Sequence, residues 1–592
     1  MKLVGAFAAA VLVSATGAAS FSPPSASRSP SAFVATPQSC RRIESPPHVR
    51  VSATQIAALP AAAAAASASA SGVVSAASRV LFGANPAAAG PTSVVLRLSA
   101  LVLTTLFVLS SRLRRKILFP GTDADPTHSE PLPEGSFGCP LFGKPFFRGD
   151  KKYGAGAFYR DIAASLGNPG VWKYYFMGKP FAVVSGGDNL KTVLNMEFDT
   201  LTSSGAEVME GGLLPMKSIL FEPDKSRHAF LRRLVGQSLT PARVSDAVPV
   251  LQEAADVAVD KMLAAQDVDG KVTMEKICTD FTLDVAWRQI LGLELSEDEI
   301  PEFEKEVETW STGIMSKRAL MGLSRFSPGY KARENIIKKI EERIESLEKN
   351  GPDASNLSAM LFAKDEEDPT KTLSREEVID NALILIFAGS ETSASTLTNA
   401  MLFCGLNQRT WEKLVAEQMK MKEKHGNVLT KQTLDDECPY LDAVIKESLR
   451  LRAVSGGMPR KVAETLVIDG KQIPKGWFID PGLGITHEND PKTKRSAISN
   501  VDPKAGFVPE RWLDPKTAPD VDFVPFGAGP RFCLGYQLAL CEMKVFLATM
   551  ARKIDYNLIK DHDGEVEWNP TMSVIPQPSD GVEISVREAV LR

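Results

Sequence analysis

The sequence has little of what most metal and nucleic-acid sites require. It contains only six histidines, and its seven cysteines are scattered without a CxxC pair, so a zinc site is not expected. An odd number of dispersed cysteines also argues against a disulfide framework and predicts reduced thiols. The 68 basic and 72 acidic residues give a net charge of −4, and no basic stripe indicates a nucleic-acid partner. A GxxxxGK[ST] phosphate loop is absent too.

The first 90 residues have the composition of targeting sequences. Residues 1–20 combine one lysine, a short apolar run and a small-residue end, which predicts a signal peptide; the apolar run is too short to favour the alternative, a first transmembrane helix. Residues 21–90 are rich in Ser, Ala and Pro and hold five arginines but one acidic residue, as a transit peptide does, although a disordered leader is an alternative. Together they resemble the two-part plastid presequences of algae with secondary plastids.

Two further segments precede the globular part. Residues 92–111 form an apolar stretch long enough to cross a bilayer and predict a membrane anchor, with a helix buried in protein as the alternative. Residues 112–145 follow as a basic and then Pro/Gly-rich linker, and the basic residues place that flank on the positive-inside face. Residues 146–592 predict one large domain, mainly α with small β-sheets (α+β). Short strands are expected at Phe181–Val184, Leu466–Ile468 and Met572–Ile575.

A long buried helix is predicted over residues 378–403. Ser374 and Glu377 form a capping box before an apolar run, which indicates the start of the helix. Ala388, Gly389, Glu391 and Thr392 lie in its middle, where glycine and an acidic residue are costly in a buried helix and therefore suggest a site. The alternative is a glycine that admits a neighbouring helix, with the glutamate at the surface.

A single cysteine, Cys533, stands between the strand-like run Val521–Phe526 with its glycine-rich turn and a helical run from Tyr536 to Lys553. Arg531 and the helix N-terminus should both favour its thiolate, which is either a nucleophile or a metal ligand. No histidine lies within 40 residues upstream to act as a local base, although a base need not be local. The turn lacks the third glycine of a dinucleotide fingerprint.

The spacing Phe526-x-x-Gly529-x-Arg531-x-Cys533-x-Gly535 resembles the haem-binding loop of the cytochrome P-450 superfamily, and the resemblance covers about residues 131–592. It implies the cytochrome P-450 fold, a long central helix over a buried haem, and Cys533 as the axial ligand of haem b. In this family Gly389 would open space over the haem, while Glu391 and Thr392 would deliver protons. A structural cluster of Glu447, Arg450 and Arg511, and haem-propionate partners His228, Arg232, Arg460 and Arg531, are implied as well.

The resemblance implies a monooxygenase that inserts one atom of O2, using NADPH-derived electrons from a separate ferredoxin or flavin reductase. The sequence pattern is most similar to the branch that oxidises retinoids, sterols and related isoprenoids. An apolar carotenoid, sterol or terpenoid substrate that enters from the membrane is therefore expected. Candidate pocket residues are Ile384, Ala388, Val454, Met458 and Val574. Plastid targeting is predicted, with the endoplasmic reticulum membrane as the alternative.

Three other functions stay open at this point. The first is a haem-thiolate isomerase or dehydratase that acts on a hydroperoxide, although Thr392 favours monooxygenation. The second is a non-catalytic haem-binding protein, against which the intact Glu391 and Thr392 argue. The third is a cysteine hydrolase that uses Cys533 and carries no haem.

Overall fold

The computed structural model describes residues 116–138, 154, 156–176, 178–203, 213–314, 326–493, 501–560, 562, 565–569 and 576–589. The chain divides into two units, Met1–Thr105 and Leu106–Arg592, and every described residue belongs to the second. The predicted signal peptide, transit peptide and anchor at 92–111 therefore lie outside the described residues and stay predictions. Within the described ranges, no helix combines the length and the apolar character that crossing a bilayer requires.

Helices make up most of the described structure, which confirms the predicted class of mainly α with small sheets. The α-helices are, in chain order, α1 Ala157–Ser165, α2 Gly187–Asn195, α3 Lys225–Gly236, α4 Pro241–Asp269, α5 Met274–Val285, α6 Glu299–Ile314, α7 Pro328–Asn350, α8 Asn356–Leu361, α9 Arg375–Leu406, α10 Gln408–His425, α11 Lys431–Asp436, α12 Pro439–Leu451, α13 Leu483–Asn489 and α14 Tyr536–Lys553. A π-helical turn, Ala286–Leu291, extends α5, and short 3₁₀ turns occupy Gln237–Leu239, Pro509–Leu513 and Gly529–Arg531.

Short strands form three small sheets. They are β1 Val171–Phe176, β2 Lys179–Val184, β3 Leu201–Ser203, β4 Val272–Thr273, β5 Arg460–Val462, β6 Leu466–Ile468, β7 Lys471–Ile473, β8 Phe478–Pro481, β9 Ile554–Leu558 and β10 Glu583–Glu588. The largest sheet has the order β1-β2-β8-β5-β3, and the others are β4-β10-β9 and β6-β7. The predicted strand at Phe181–Val184 lies inside β2, and that at Leu466–Ile468 coincides with β6. Met572–Ile575 lies outside the described residues.

Helix α9 runs through two hydrophobic cores. Its N-terminal half, from Val378 to Ile386, packs in one core with α3, α6 and α7. Its C-terminal half, from Ala394 to Cys404, packs in the other core with α4, α12 and α14. The helix begins at the predicted capping box, where Glu377 N–H donates to the Ser374 hydroxyl and Ser374 N–H donates back to the Glu377 carboxylate. The two cores therefore meet at the middle of α9.

Residues 521–526 do not form the predicted strand. They make turns instead, and two of them bond to other elements. Val524 N–H donates to His487 Nε2 at 3.1 Å, and the neighbouring Asp522 carboxylate accepts the Gly187 N–H at the start of α2 at 2.6 Å. This stretch therefore ties the cysteine loop to α2 and α13 rather than extending a sheet.

Candidate active site

The loop that carries Cys533 is closed by short backbone contacts. Cys533 N–H donates to the Phe526 carbonyl at 3.0 Å. Gly529 has φ +68°, and a Cβ there would lie 2.3 Å from the Leu194 carbonyl oxygen, so the end of α2 requires this glycine. At Gly535, by contrast, a Cβ would meet nothing within 4 Å. Of these two glycines, only Gly535 leaves the backbone beside the thiol open to a large group.

The Cys533 thiol is half-buried, and burial raises its pKa; the Gly535 N–H and the Arg232 guanidinium offset that rise in part. Among the arginines, the charge of Arg232 lowers the Cys533 pKa, a role for which the sequence suggested Arg531. Arg232 lies on α3, and its Nη1 donates to the Phe532 carbonyl at 2.9 Å. Helix α3 is thereby fixed to the cysteine loop.

Arg531 is engaged by other protein groups. Its Nε donates to Glu197 Oε1 at 2.6 Å, and its two Nη atoms donate to the backbone carbonyls of Ile219, Leu220 and Glu222 at 2.5–3.2 Å. Arg460, at the start of β5, places its Nε 2.6 Å from Glu197 Oε2. The structure thus joins two sequence-predicted arginines through Glu197, a residue that sequence analysis missed. No local motif marks Glu197, because its partners are 263 and 334 positions away along the chain.

His228 lies one turn before Arg232 on α3 and is buried. Burial lowers the His228 pKa to about 4, and the nearby positive charges of Arg531 and Arg232 make smaller contributions to the same shift. The imidazole is therefore neutral at physiological pH and can donate one N–H to an anionic group without adding charge. Its ring lies 4.9 Å from the ring of Phe198, centroid to centroid.

The middle of α9 is open although both halves of the helix are buried. Ala388 is exposed, and Gly389, Glu391 and Thr392 are half-buried. A Cβ at Gly389 would meet nothing within 4 Å, so close packing of another helix does not explain this glycine. The Thr392 hydroxyl donates to the Ala388 carbonyl at 2.8 Å, as mid-helix threonines commonly do. Leu534, next to Cys533, packs against both cores, which places the cysteine loop at the same junction.

Glu447 and Arg450 on α12 form a buried cluster with Arg511. Glu447 is fully buried and accepts from Arg450 Nη2 and Nε at 2.9 Å and from Arg511 Nε at 3.0 Å. Sequence analysis missed two further donors, Trp512 Nε1 at 2.9 Å and the Val508 N–H at 3.1 Å. All these groups share one carboxylate, which therefore joins α12 to the 3₁₀ turn Pro509–Leu513.

The predicted pocket residues differ in their surroundings. Ile384 and Met458 pack in the same core as the N-terminal half of α9, whereas Val454 packs in the other core. Ala388 is exposed at the open middle of the helix. Val574 lies outside the described residues, so its position is not assigned.

The family model for cytochrome P450 matches residues 133–584, more than half of the chain. The chain belongs to the cytochrome P450 family. It is similar to a putative cytochrome P450 120 of Synechocystis sp., with 26% identity over 463 residues that cover 78% of this chain and 97% of the relative. Cytochrome P450 26B1 of Xenopus tropicalis is 28% identical over 438 residues, covering 71% and 81% respectively.

Among solved structures, a retinoic-acid-bound cyanobacterial CYP120A1 aligns with this P450 at a TM-score of 0.66 and 25% identity. The alignment covers 78% of this chain and 100% of the other. This likeness confirms the P450 fold that the cysteine loop indicated. Together with the family match, it identifies the protein as a P450 monooxygenase and agrees with the predicted retinoid branch.

The residues of this P450 fit a haem. Cys533 would ligate the iron, and the openings at Gly535 and Gly389 would admit the ring. Arg232, Arg460 and His228 would serve the propionates. Four of the five N–H groups of Arg531 already bond to protein oxygens, which leaves at most one for a propionate. When bound, haem with a thiolate ligand supplies reductive activation of O2 and favours O–O cleavage.

A second link joins α9 to the helix that follows Cys533. The Ser393 hydroxyl, next to Thr392, is hydrogen-bonded to the Glu542 carboxyl on α14, and both side chains are buried. Burial raises the Glu542 pKa to about 8, against a smaller lowering by Ser393. Glu542 therefore carries a proton at neutral pH and holds the Thr392 segment to α14 without a buried negative charge.

We expect Glu542→Gln to flatten the pH dependence of stability. Between pH 4.5, the ordinary glutamate pKa, and about 8, the folded protein holds a proton that the unfolded chain releases. In the wild type this group therefore makes stability fall as pH rises, by at most about 1.4 kcal/mol per pH unit. Glutamine keeps the hydrogen bond but cannot ionise. Denaturation midpoints over this pH window measure the slope, with Glu423→Gln on the exposed face of α10 as the control. Equal slopes in wild type and Glu542→Gln would contradict the prediction.

Proposed function

We propose that this P450 inserts one oxygen atom from O2 into an apolar isoprenoid, and that a retinoid or a related carotenoid fragment is its substrate. The observation that carries the proposal is the likeness to a P450 structure with retinoic acid bound, over the whole of that chain. The solved protein binds a long, largely apolar polyene. Because the two backbones follow a similar course, the same ligand class is the first to test here.

The described pocket residues support an apolar, extended ligand. Ala388 and Gly389 present small groups at the open middle of α9, and Ile384 lies one turn earlier on the helix. On the segment that follows α12, a Cβ at Gly456 would meet nothing within 4 Å, and Met458 is half-buried. Apolar side chains beside open space stabilise a hydrocarbon ligand by removing its surface from water.

The proposal is tested by ligand-induced changes in the Soret band and by product analysis. We expect all-trans retinoic acid to shift the band, and turnover under ¹⁸O2 to give a product with one labelled oxygen. Ala388→Leu should weaken retinoid binding by about tenfold or more, since a shape clash of about 1.4 kcal/mol costs that factor. Ala416→Leu, on the exposed side of α10, is the matched control and should leave binding unchanged.

Two results would overturn the substrate class. A band shift with sterols and none with retinoids would exclude retinoids but keep an isoprenoid. The absence of a shift with retinoids, carotenoids and sterols would reject the isoprenoid proposal altogether. Conversion of a fatty-acid hydroperoxide without any electron donor would instead support the isomerase or dehydratase alternative.

We further propose that electrons reach the haem from a separate redox protein, and that this protein is a ferredoxin because the enzyme is directed to a plastid. The support is the presequence composition of residues 1–90, with the anchor at 92–111 holding the enzyme at a membrane. A fluorescent fusion of residues 1–90 tests the location, and reticular fluorescence alone would reject the plastid. Faster turnover with a flavin reductase than with a plant-type ferredoxin would reject that donor.

A further inference from the structure

Glu197 lies between two buried arginines from distant parts of the chain. Its side chain is fully buried, and those of Arg460 and Arg531 are 6% and 7% exposed. Each arginine Nε is 2.6 Å from a different oxygen of the carboxylate. Glu197 thus connects the segment after α2 with β5 and with the cysteine loop. A single buried carboxylate shared in this way fixes two side chains that have no direct contact with Cys533.

The three charges do not balance. One carboxylate faces two guanidinium groups, and all three side chains are almost completely removed from water. The Arg531 guanidinium carbon lies 4.7 Å from the centroid of the Phe198 ring, and that ring lies 4.9 Å from the ring of His228. Charges that are removed from water in this way act over distance more strongly than exposed ones do. Arg531 lies on the cysteine loop, and Arg460 would serve a haem propionate, so the charge of Glu197 would act on the haem through these two arginines.

We propose that Glu197 is a positioning residue of the monooxygenase: it holds Arg531 on the cysteine loop and Arg460 on β5, and its negative charge lowers the reduction potential of the haem. A buried negative charge in the protein around a haem disfavours addition of an electron, and proteins tune haem potentials through buried charge and hydrogen bonding. The inference requires the haem that the family carries, and it is independent of which substrate is oxidised.

Glu197→Gln tests the charge while keeping the shape. In the full-length holoprotein, we expect a spectroelectrochemical titration to give a more positive midpoint potential than that of the wild type. The red-shifted Soret band of the reduced, carbon-monoxide-bound form should be retained, since Cys533 is untouched. Glu197→Asp keeps the charge but shortens the side chain, so its potential should stay near that of the wild type while its thermal stability falls.

A purely structural role for Glu197 predicts a different pattern, in which stability falls in both variants and the potential moves in neither. That outcome would overturn the proposal. Asp284→Asn is the matched control, because Asp284 is a largely buried carboxylate on α5 that pairs with Arg288 at 3.0 Å; it should leave the potential unchanged. If Glu197→Gln does not fold, Arg460→Gln removes a positive charge from the same group. Its potential should then become more negative, and an unchanged or more positive value would overturn the proposal.

Discussion

Cys533→Ala is expected to abolish the red-shifted Soret band of the reduced, carbon-monoxide-bound protein, and with it all monooxygenase activity. The band reports a thiolate that donates electron density to the iron, and alanine offers no ligand. The local structure is set for this role, because the Gly535 N–H and the Arg232 guanidinium both favour the thiolate against the effect of burial. Absorption spectra of the full-length protein, reduced with dithionite and exposed to carbon monoxide, measure the loss.

Cys541→Ala is the matched control for this experiment. Cys541 lies on α14, eight residues after Cys533, and packs in the core that α14 shares with α4 and α12. Burial raises its pKa to about 12, so it stays a neutral thiol and a poor metal ligand. The band should persist in this variant, with some loss of stability from the smaller side chain. A band that survives Cys533→Ala, or disappears in Cys541→Ala, would show that the loop does not provide the ligand.

Patterns that depend on neighbouring residues were predictable from the sequence. The helical run from Tyr536 to Lys553 coincides with α14, and the capping box at Ser374 marks the start of α9. The segment that carries Glu447 and Arg450 likewise forms a regular helix, Pro439–Leu451. In each case the hydrophobic pattern and the residues at the helix ends favour a helix, and the tertiary packing favours the same helix.

The strand predicted at Val521–Phe526 failed for a tertiary reason. The run is largely apolar and resembles a strand, but its residues belong to none of the sheets among the described residues. The carboxylate of Asp522 and the N–H of Val524 bond instead to Gly187 and His487, which are about 335 and 37 positions away. An apolar run shows which side chains can be buried together, but the tertiary structure determines the partners of its backbone hydrogen bonds.

Some site residues could be predicted from the sequence, and others could be found only from the folded structure. Cys533, Glu447 and Thr392 lie in motifs whose spacing is local, so a single sequence could point to them. Glu197 and Glu542 lie in no motif, and their importance rests on contacts that the fold creates with β5, the cysteine loop and α9. Burial of an acidic residue is the physical signal for both, and burial is a property of the packed structure.

Glu447→Gln is expected to destabilise the fold by about 3–5 kcal/mol, which is a large part of the stability of a typical domain. The carboxylate is the shared counter-charge of Arg450 and Arg511, and all three side chains are buried. Glutamine has one acceptor oxygen and adds donors, so it cannot receive both arginines together with Trp512 Nε1 and the Val508 N–H. Thermal denaturation and the yield of soluble, haem-loaded protein measure the effect.

Glu510→Gln separates this prediction from a general effect of removing acidic residues. Glu510 lies in the same 3₁₀ turn as Arg511 and pairs with Lys413, but its side chain is 41% exposed. Solvent screens that pair, so its loss should cost less than about 1 kcal/mol. The Tyr440 hydroxyl that donates to Glu510 at 3.0 Å can still donate to the glutamine oxygen. Equal denaturation temperatures for the two variants would show that the buried cluster contributes no more than a surface pair. If only Glu447→Gln unfolds the protein, the packing of α12 against the 3₁₀ turn Pro509–Leu513 depends on this one carboxylate. Any fraction of the variant that folds should still bind haem through Cys533.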